Sequence, residues 1–285
     1  MRADTEQSRK FVFIRWLLYA VLGIWTLCVI YPLIWTIMSS FKSNQQFMLA
    51  APWSLPNWPW QWENFSNVWS NYHLGTYFTN SVIVTTFSTV LSLLLAASTS
   101  YIIARFPFRG SQALYNLYLA SMMIPLILGL IPIFFLLSSL GLDNTLFGLI
   151  AVYTATNLPF GVFVLVGFFK ALPRELDEAA SVDGSSHYGV FFRIMLPLAK
   201  PGLISVGMMN VLHIWNEYII GTVLVNDPSK YTMPVGIAVM QAEMQYSTEW
   251  GALFAGLMMS IIPVFILYML FQRQITSGMM AGAVK

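Results

Sequence analysis

Six stretches of the chain stay apolar for about 20 residues, the length an α-helix needs to cross the hydrocarbon core of a bilayer. They lie near Trp16–Met38, Val82–Ala104, Leu114–Leu137, Phe147–Phe169, Leu203–Leu224 and Ala252–Phe271. Each reads as apolar all round rather than striped, as expected of a helix surrounded by lipid and other helices. In lipid, backbone groups must bond within their own segment, which selects helices. The short alternating segments of a transmembrane barrel do not occur. The pattern predicts an all-α membrane protein with six transmembrane helices. Pro125, Pro132, Pro159 and Pro263 fall inside the runs and predict kinks. The first apolar stretch, roughly Phe11–Met38, is longer than the core of a signal peptide and no small-residue cleavage site closes it, so it is read as a retained helix.

Charge orients these helices. With the N-terminus in the cytoplasm, the inner segments carry Arg2, Arg9, Lys10 and Arg15, then Arg105 and Arg109, then Lys170, Arg174, Arg193 and Lys200, and finally Arg273 and Lys285. Only Lys42 and Lys230 fall outside. Positive charge concentrates on the cytoplasmic side of membrane proteins, so both termini are expected inside. The expected organisation is a cytoplasmic N-terminus at 1–15, a transmembrane region at 16–271 with a cytoplasmic loop at about 172–201, and a cytoplasmic tail at 272–285.

Composition agrees with the pattern. Hydrophobic residues make up 57% of the 285 and charged residues 9%, against about 25% charged in soluble domains. So few charges cannot cover a water-facing surface of this size. The single cysteine, Cys28, lies in an apolar run and forms no internal disulfide.

The inner loop after the fourth run, Leu172 to Gly202, carries the densest signals. Pro173 suits a first helical position, and Glu175, Asp177 and Glu178 suit the positive end of a helix dipole. Ala179 and Ala180 favour helix, Asp183-Gly184 signals a stop and turn, and Ser185 or Ser186 can cap a second short helix. That helix holds Tyr188, Val190, Phe191, Phe192 and Ile194 before Pro197 and Pro201 interrupt it. Apolar groups at a cytoplasmic surface fit either a docking face for a partner or packing onto the chain's own helix ends.

The spacing of this loop resembles the cytoplasmic signature of permease subunits of ATP-binding-cassette (ABC) importers: Glu-Ala-Ala, three residues, Gly, nine residues, Ile, one residue, Leu-Pro. Here these are Glu178-Ala179-Ala180, Gly184, Ile194 and Leu196-Pro197. The whole chain is similar to the carbohydrate branch, and within it to the second permease subunit of maltose-type importers. Trp215-Asn216-Glu217-Tyr218 resembles that branch's Trp-Asn-(Glu/Asp)-aromatic pattern. The closing Gly278–Lys285 resembles its tail, with Met279 and Met280 in place of the usual Leu-Thr.

The resemblance implies a type I importer fold in a bacterial or archaeal cytoplasmic membrane. Its implied partners are a second, different permease, two ATPase subunits holding ATP and magnesium, and an extracytoplasmic solute-binding protein. It implies that the loop is a coupling helix seated in an ATPase cleft. There Glu178 makes polar contacts and Ala179 and Ala180 keep the helix slim. Asp183-Gly184 turns the chain, and Ile194, Leu196 and Pro197 anchor the loop to the membrane domain. It also relates the outer segment near Gln241–Trp250 to a loop that touches the binding protein.

Other chemistry is sparse. No GxxxxGK[ST], HExxH or GxSxG pattern occurs, so no cofactor or catalytic centre is expected on this chain and ATP hydrolysis belongs to a partner. His73, His187 and His213 are scattered, which argues against a metal site, and nothing points to nucleic acid. Glu217 is the evident carboxylate inside a span, where charge costs about 2.5–3.5 kcal/mol. With Asn216 and Tyr218 it either lines a substrate path or makes an interhelical hydrogen bond that fixes packing. The outer loop's Trp53, Trp58, Trp60, Trp62 and Trp69 suit interfacial anchoring or sugar stacking. Two further classes remain at this point: an ion-coupled carrier, and a membrane scaffold or sensor subunit.

Overall fold

The computed structural model describes residues 2–182, 184–247 and 249–283. The described residues are mostly helical: α1 Arg2–Ser40, α2 Asn44–Leu49, α3 Glu63–Ser70, α4 Leu74–Arg105, α5 Ser111–Met122, α6 Leu126–Ser139, α7 Leu146–Ala171, α8 Glu175–Val182 and α9 His187–Val190. A π-helical turn at Phe191–Met195 leads into α10 Leu196–Leu198, α11 Lys200–Trp215 and α12 Ile219–Leu224. After a 3-10 turn at Pro228–Lys230 come α13 Met233–Ser247 and α14 Trp250–Ala283. Among the described residues, four stretches are single helices long and apolar enough to span a membrane: Ile14–Ser40, Leu74–Arg105, Leu146–Ala171 and Trp250–Gln272.

The other two expected spans are not single rods. The third is broken: α5 and α6 meet at 104°. Pro125 is the residue at the start of α6, in an extended conformation, and proline also disfavours helical backbone in the residue before it. Pro132, Pro159 and Pro263, by contrast, lie inside continuing helices. The fifth span, expected as one helix over Leu203–Leu224, ends at Trp215 and resumes at Ile219. Glu217 is therefore not in mid-helix but in the break.

The chain divides into two compact units. One comprises Met1–Tyr72 and Met240–Met259. In it the outer loop after α1 is folded by side chains that bond backbone. Gln46, nearly buried, donates to Leu55 O at 2.7 Å and accepts from Asn57 N at 3.0 Å. Asn64 Nδ2 donates to both Ser40 O and Lys42 O. Trp35 Nε1 and Lys42 Nζ both reach Pro52 O, and burial pushes the Lys42 ammonium below the ordinary lysine range. Trp60 and Trp62 pack on Phe41 at 5.5 and 4.8 Å between ring centres. Trp35 meets Phe254, and Phe47 stacks on Trp250.

The second unit comprises His73–Val239 and Ser260–Lys285. Its centre is the α4–α7 pair, with α11 packed on both and α5 on α7. The buried side of α4 is a row of small and polar residues: Ser81, Thr85, Ser88, Ser92, Ala96 and Ser100. Membrane helices pack through such residues because lipid already satisfies apolar ones, so close approach and interhelical hydrogen bonds supply the attraction. Ser88 Oγ donates to Ile150 O and Ser100 Oγ to Val162 O. A Cβ added at Gly161 of α7 would stand 2.8 Å from that of Ala96, so only glycine permits this approach. Asn210 of α11 donates to Ser92 Oγ at 3.3 Å. The outward side of α4, with Phe87, Val90, Leu91, Leu94 and Leu95, is large and apolar. The helix that reads as uniformly apolar is thus striped, with its small polar face turned inward.

Candidate functional site

The loop after α7 is a helix, a glycine turn and a second helix. Three acidic residues, Glu175, Asp177 and Glu178, occupy the first turn of α8, where they face the positive end of the helix dipole. The helix closes on Gly184, whose φ of +77° lies in the left-handed region, while Ser185 N donates to Ala180 O at 3.0 Å. A six-residue backbone bond around a left-handed glycine is the Schellman stop. Asp183 lies outside the described residues. Ser186 then caps α9, its Oγ accepting from Gly189 N at 3.2 Å; of the two serines the sequence offered, this is the cap.

Beyond α9 the helix widens into a five-residue π turn, Phe191–Met195, with Leu196 N donating to Phe191 O. The cause is local. The α-helical donor to Arg193 O would come from Pro197, which has no N–H. A second proline, Pro201, sits in the first turn of α11, and the chain bends by 74° between the two segments.

The apolar side chains of this loop divide between two surfaces. Ala180, Val190, Phe191 and Met195 are buried in one cluster with Tyr101, Val166 and Phe169, and Ile194 and Leu196 pack half-buried against it. Phe191 lies 5.1 Å from the Tyr101 ring. Val182 and Tyr188, at 87% and 80% exposed, and Phe192 face outward. Glu178, Ala179, Gly184 and Pro197 are also on the outside. The packing reading therefore holds for the first group, while the second group stays exposed.

Sequence reading missed what holds α8 to the membrane helices. Arg105, the last residue of α4, is 4% exposed in its side chain, and its Nε lies 3.3 Å from Asp177 Oδ2. Its Nη2 donates to Leu172 O at 2.9 Å, at the end of α7. Tyr101 OH reaches Asp177 Oδ1 at 3.4 Å. A recess of about 200 Å³ opens beside this pair, bordered by Phe106, Arg174, Glu178 and His187. The signal available was a basic residue ending a span and an acidic residue beginning a loop helix, but nothing in the sequence pairs them.

The second candidate group, Asn216, Glu217 and Tyr218, forms the break between α11 and α12. Glu217 caps α12: Oε1 accepts from Ile220 N at 2.8 Å and Oε2 from Gly221 N at 3.1 Å. Tyr153 of α7, its ring buried, donates to Glu217 Oε2 at 2.6 Å. Asn216 Nδ2 turns back to Leu212 O at 2.8 Å. Asn216 is exposed, as is Tyr218 at 45%. Trp215, beside them, donates to Ser260 O. Among the described residues no group of His, Cys, Asp and Glu could hold a metal ion.

Comparison with known proteins places this arrangement. Residues 88–280 match the family described as the binding-protein-dependent transport system inner membrane component. The diacetylchitobiose uptake system permease protein NgcG of Streptomyces coelicolor is 39% identical over 281 residues, covering 99% of this chain and 91% of the relative. The trehalose/maltose transport system permease protein MalG of Thermococcus litoralis is 33% identical over 258 residues, covering 90% and 91%. A crystal structure of a bacterial ABC transporter involved in the import of the acidic polysaccharide alginate contains a chain with the same fold, at a TM-score of 0.80 and 24% identity, covering 93% of this chain and 96% of that one. With α8, its glycine stop and its proline-ended partner helix set on a multi-helix membrane bundle, this chain belongs to the binding-protein-dependent transport system inner membrane components, the permease subunits of ABC importers.

Proposed function

We propose that this chain carries an oligosaccharide across the cytoplasmic membrane by alternating access, with both termini inside. It works beside a second, different permease, two ATPase subunits that hold ATP and magnesium, and an extracytoplasmic binding protein. The observation that carries the reading is the two-sidedness of α8. Asp177 and Ala180 turn inward to the membrane helices while Glu178, Ala179 and Val182 turn outward. A helix held on one side and open on the other suits a part that receives a push from a partner and passes it on. Alternating access also needs contacts that differ between the two states, not docking alone. Relatives named for diacetylchitobiose and for trehalose or maltose support the carbohydrate class, and family membership weighs against an ion-coupled carrier.

In this reading Glu178 and Ala179 meet the ATPase, Ala180 seats α8, and Gly184 turns the chain. Ile194, Leu196 and Pro197 tie the second helix to the bundle. Asn216 and Tyr218 belong to the substrate path. Glu217 is their support, since both its oxygens are engaged with Tyr153 and the α12 backbone.

The test is reconstitution. The chain is co-expressed with candidate partner permease and ATPase subunits, and sugar-stimulated ATP hydrolysis is measured in proteoliposomes with the binding protein. Stimulation that Glu178→Arg abolishes, in a complex whose membrane subunits still assemble, is the expected outcome. Uptake driven by an ion gradient in ATP-free vesicles would overturn the reading.

A further inference from the structure

Resting on that reading, we infer that Arg105 is a positioning residue for coupling: it fixes the rotation of α8 against the ends of α4 and α7, so that displacement of the Glu178 face moves those two helices. Three elements converge on one guanidinium. Arg105 ends α4, pairs with Asp177 of α8 at 3.3 Å, and bonds the carbonyl that ends α7 at 2.9 Å. The other Asp177 oxygen is held by Tyr101, one turn earlier on α4. Both carboxylate oxygens are thus gripped from the same membrane helix.

Apolar contact alone would not set this rotation. The inward face of α8 offers the fully packed Ala180 and the half-buried Leu176. Neither has the directional demand of a carboxylate held by a guanidinium at one oxygen and a tyrosine hydroxyl at the other. A partly buried ion pair, Asp177 keeping a quarter of its side chain exposed, adds little net stability, because withdrawing charge from water offsets most of the attraction, but removing Asp177 strands the buried Arg105. Such a pair selects one orientation among several that pack comparably. Arg105 also lies at the C-terminus of α4, where a cation is favoured by the helix dipole. Since α4 and α7 pack on each other along their length, a clamp at their shared end passes a movement of α8 to both.

The experiment uses the assembled importer and the full chain side by side. In proteoliposomes, sugar uptake and ATP hydrolysis are measured together for Arg105→Gln, Asp177→Asn, the double variant and Arg105→Lys. Sugar carried per ATP is expected to fall about tenfold in each neutral single variant while the complex stays assembled. The double variant is expected to be no worse than either single, and Arg105→Lys to recover part of the loss. An unchanged ratio in assembled complexes, additive losses, or a loss that follows only the amount of assembled complex would overturn the inference.

A second readout needs no partner. Spin labels at Val182→Cys and Ser98→Cys, in a Cys28→Ser background, report the α8-to-α4 distance in the purified chain. Arg105→Gln is expected to broaden that distance distribution, and an unchanged width refutes the clamp. Failure of the reconstituted wild type to couple to any ATPase would instead refute the proposed function, while the label distances still decide the clamp.

Discussion

The loop from Gly184 to Pro201 and the break at Asn216–Tyr218 both interrupt helices, and they are made from opposite materials. In the loop the interruption is covalent. Glycine alone adopts the left-handed turn at 184 without strain, Pro197 shifts the hydrogen-bond register, and Pro201 starts the next helix. Between Trp215 and Ile219 there is neither glycine nor proline. There a carboxylate takes over two backbone donors and is held by a tyrosine from another helix. The first device works in water, where solvent can satisfy what the helix gives up. The second sits in a predicted span, where released backbone groups must find partners within the protein. A break inside the membrane is therefore a tertiary object.

That comparison breaks most visibly at Glu217. Glu217→Ala leaves the Tyr153 hydroxyl and the Ile220 and Gly221 N–H groups without their acceptor, at an expected cost of about 3 kcal/mol, toward the upper end for stranded buried donors. Thermal unfolding of the purified protein, followed by tryptophan fluorescence, measures this, and Glu217→Gln should restore only part of the loss, because its amide offers one acceptor oxygen and turns an NH2 donor toward a backbone N–H. Tyr153→Phe removes one of the three donors, and by the same measurement about 1–2 kcal/mol is expected. A loss as large as that of Glu217→Ala would mean that tyrosine, not the carboxylate, holds the break open.

The covalent device should be softer. Gly184→Ala puts a side chain at φ +77°, an expected cost of about 1–2 kcal/mol. Gly184→Asn should cost less, since asparagine tolerates that region. Hydrogen exchange at the Ser185 amide, bonded to Ala180 O, reports it directly. The smallest effect is expected where a carboxylate caps a turn in water. Asp227 is held below its usual 3.8 by the Ser229 hydroxyl first, then by the Ser229 amide and Lys230. A depressed carboxylate stabilises the fold above its unfolded pKa, and that contribution is lost as pH falls through the lower folded value. Protection of the Ser229 amide should accordingly hold at neutral pH and fade only below 3.8. Fading at higher pH would show that the water-exposed cap contributes nothing.

The mixture of legible and illegible features runs through the whole chain. The α8 stop was readable because Gly184 carries its own instruction, and so was the cap, within a choice of two serines. The Pro125 break was readable as a kink but not as a 104° turn. The direction that α5 and α6 take after the break depends on what each packs against. The inward face of α4 was present in the sequence as Ser, Thr and Ala at helical spacing. It was masked because Leu, Val and Phe on the other side dominate any average over the run.

What the sequence determined by itself was that the chain is built of long apolar helices: their apolar length is set mostly by each segment's own composition, and so survives without knowing its neighbours. It also determined the local stops at Gly184 and the prolines, because these act through one residue's own backbone. Only the tertiary structure decided that Arg105 grips Asp177, that Tyr153 holds Glu217 outside a helix, and which face of α8 is left open. Each of these is a choice among many chemically equal partners. That choice is made by which helices pack together, since a buried charge or donor is tolerable only where the fold brings its partner within reach.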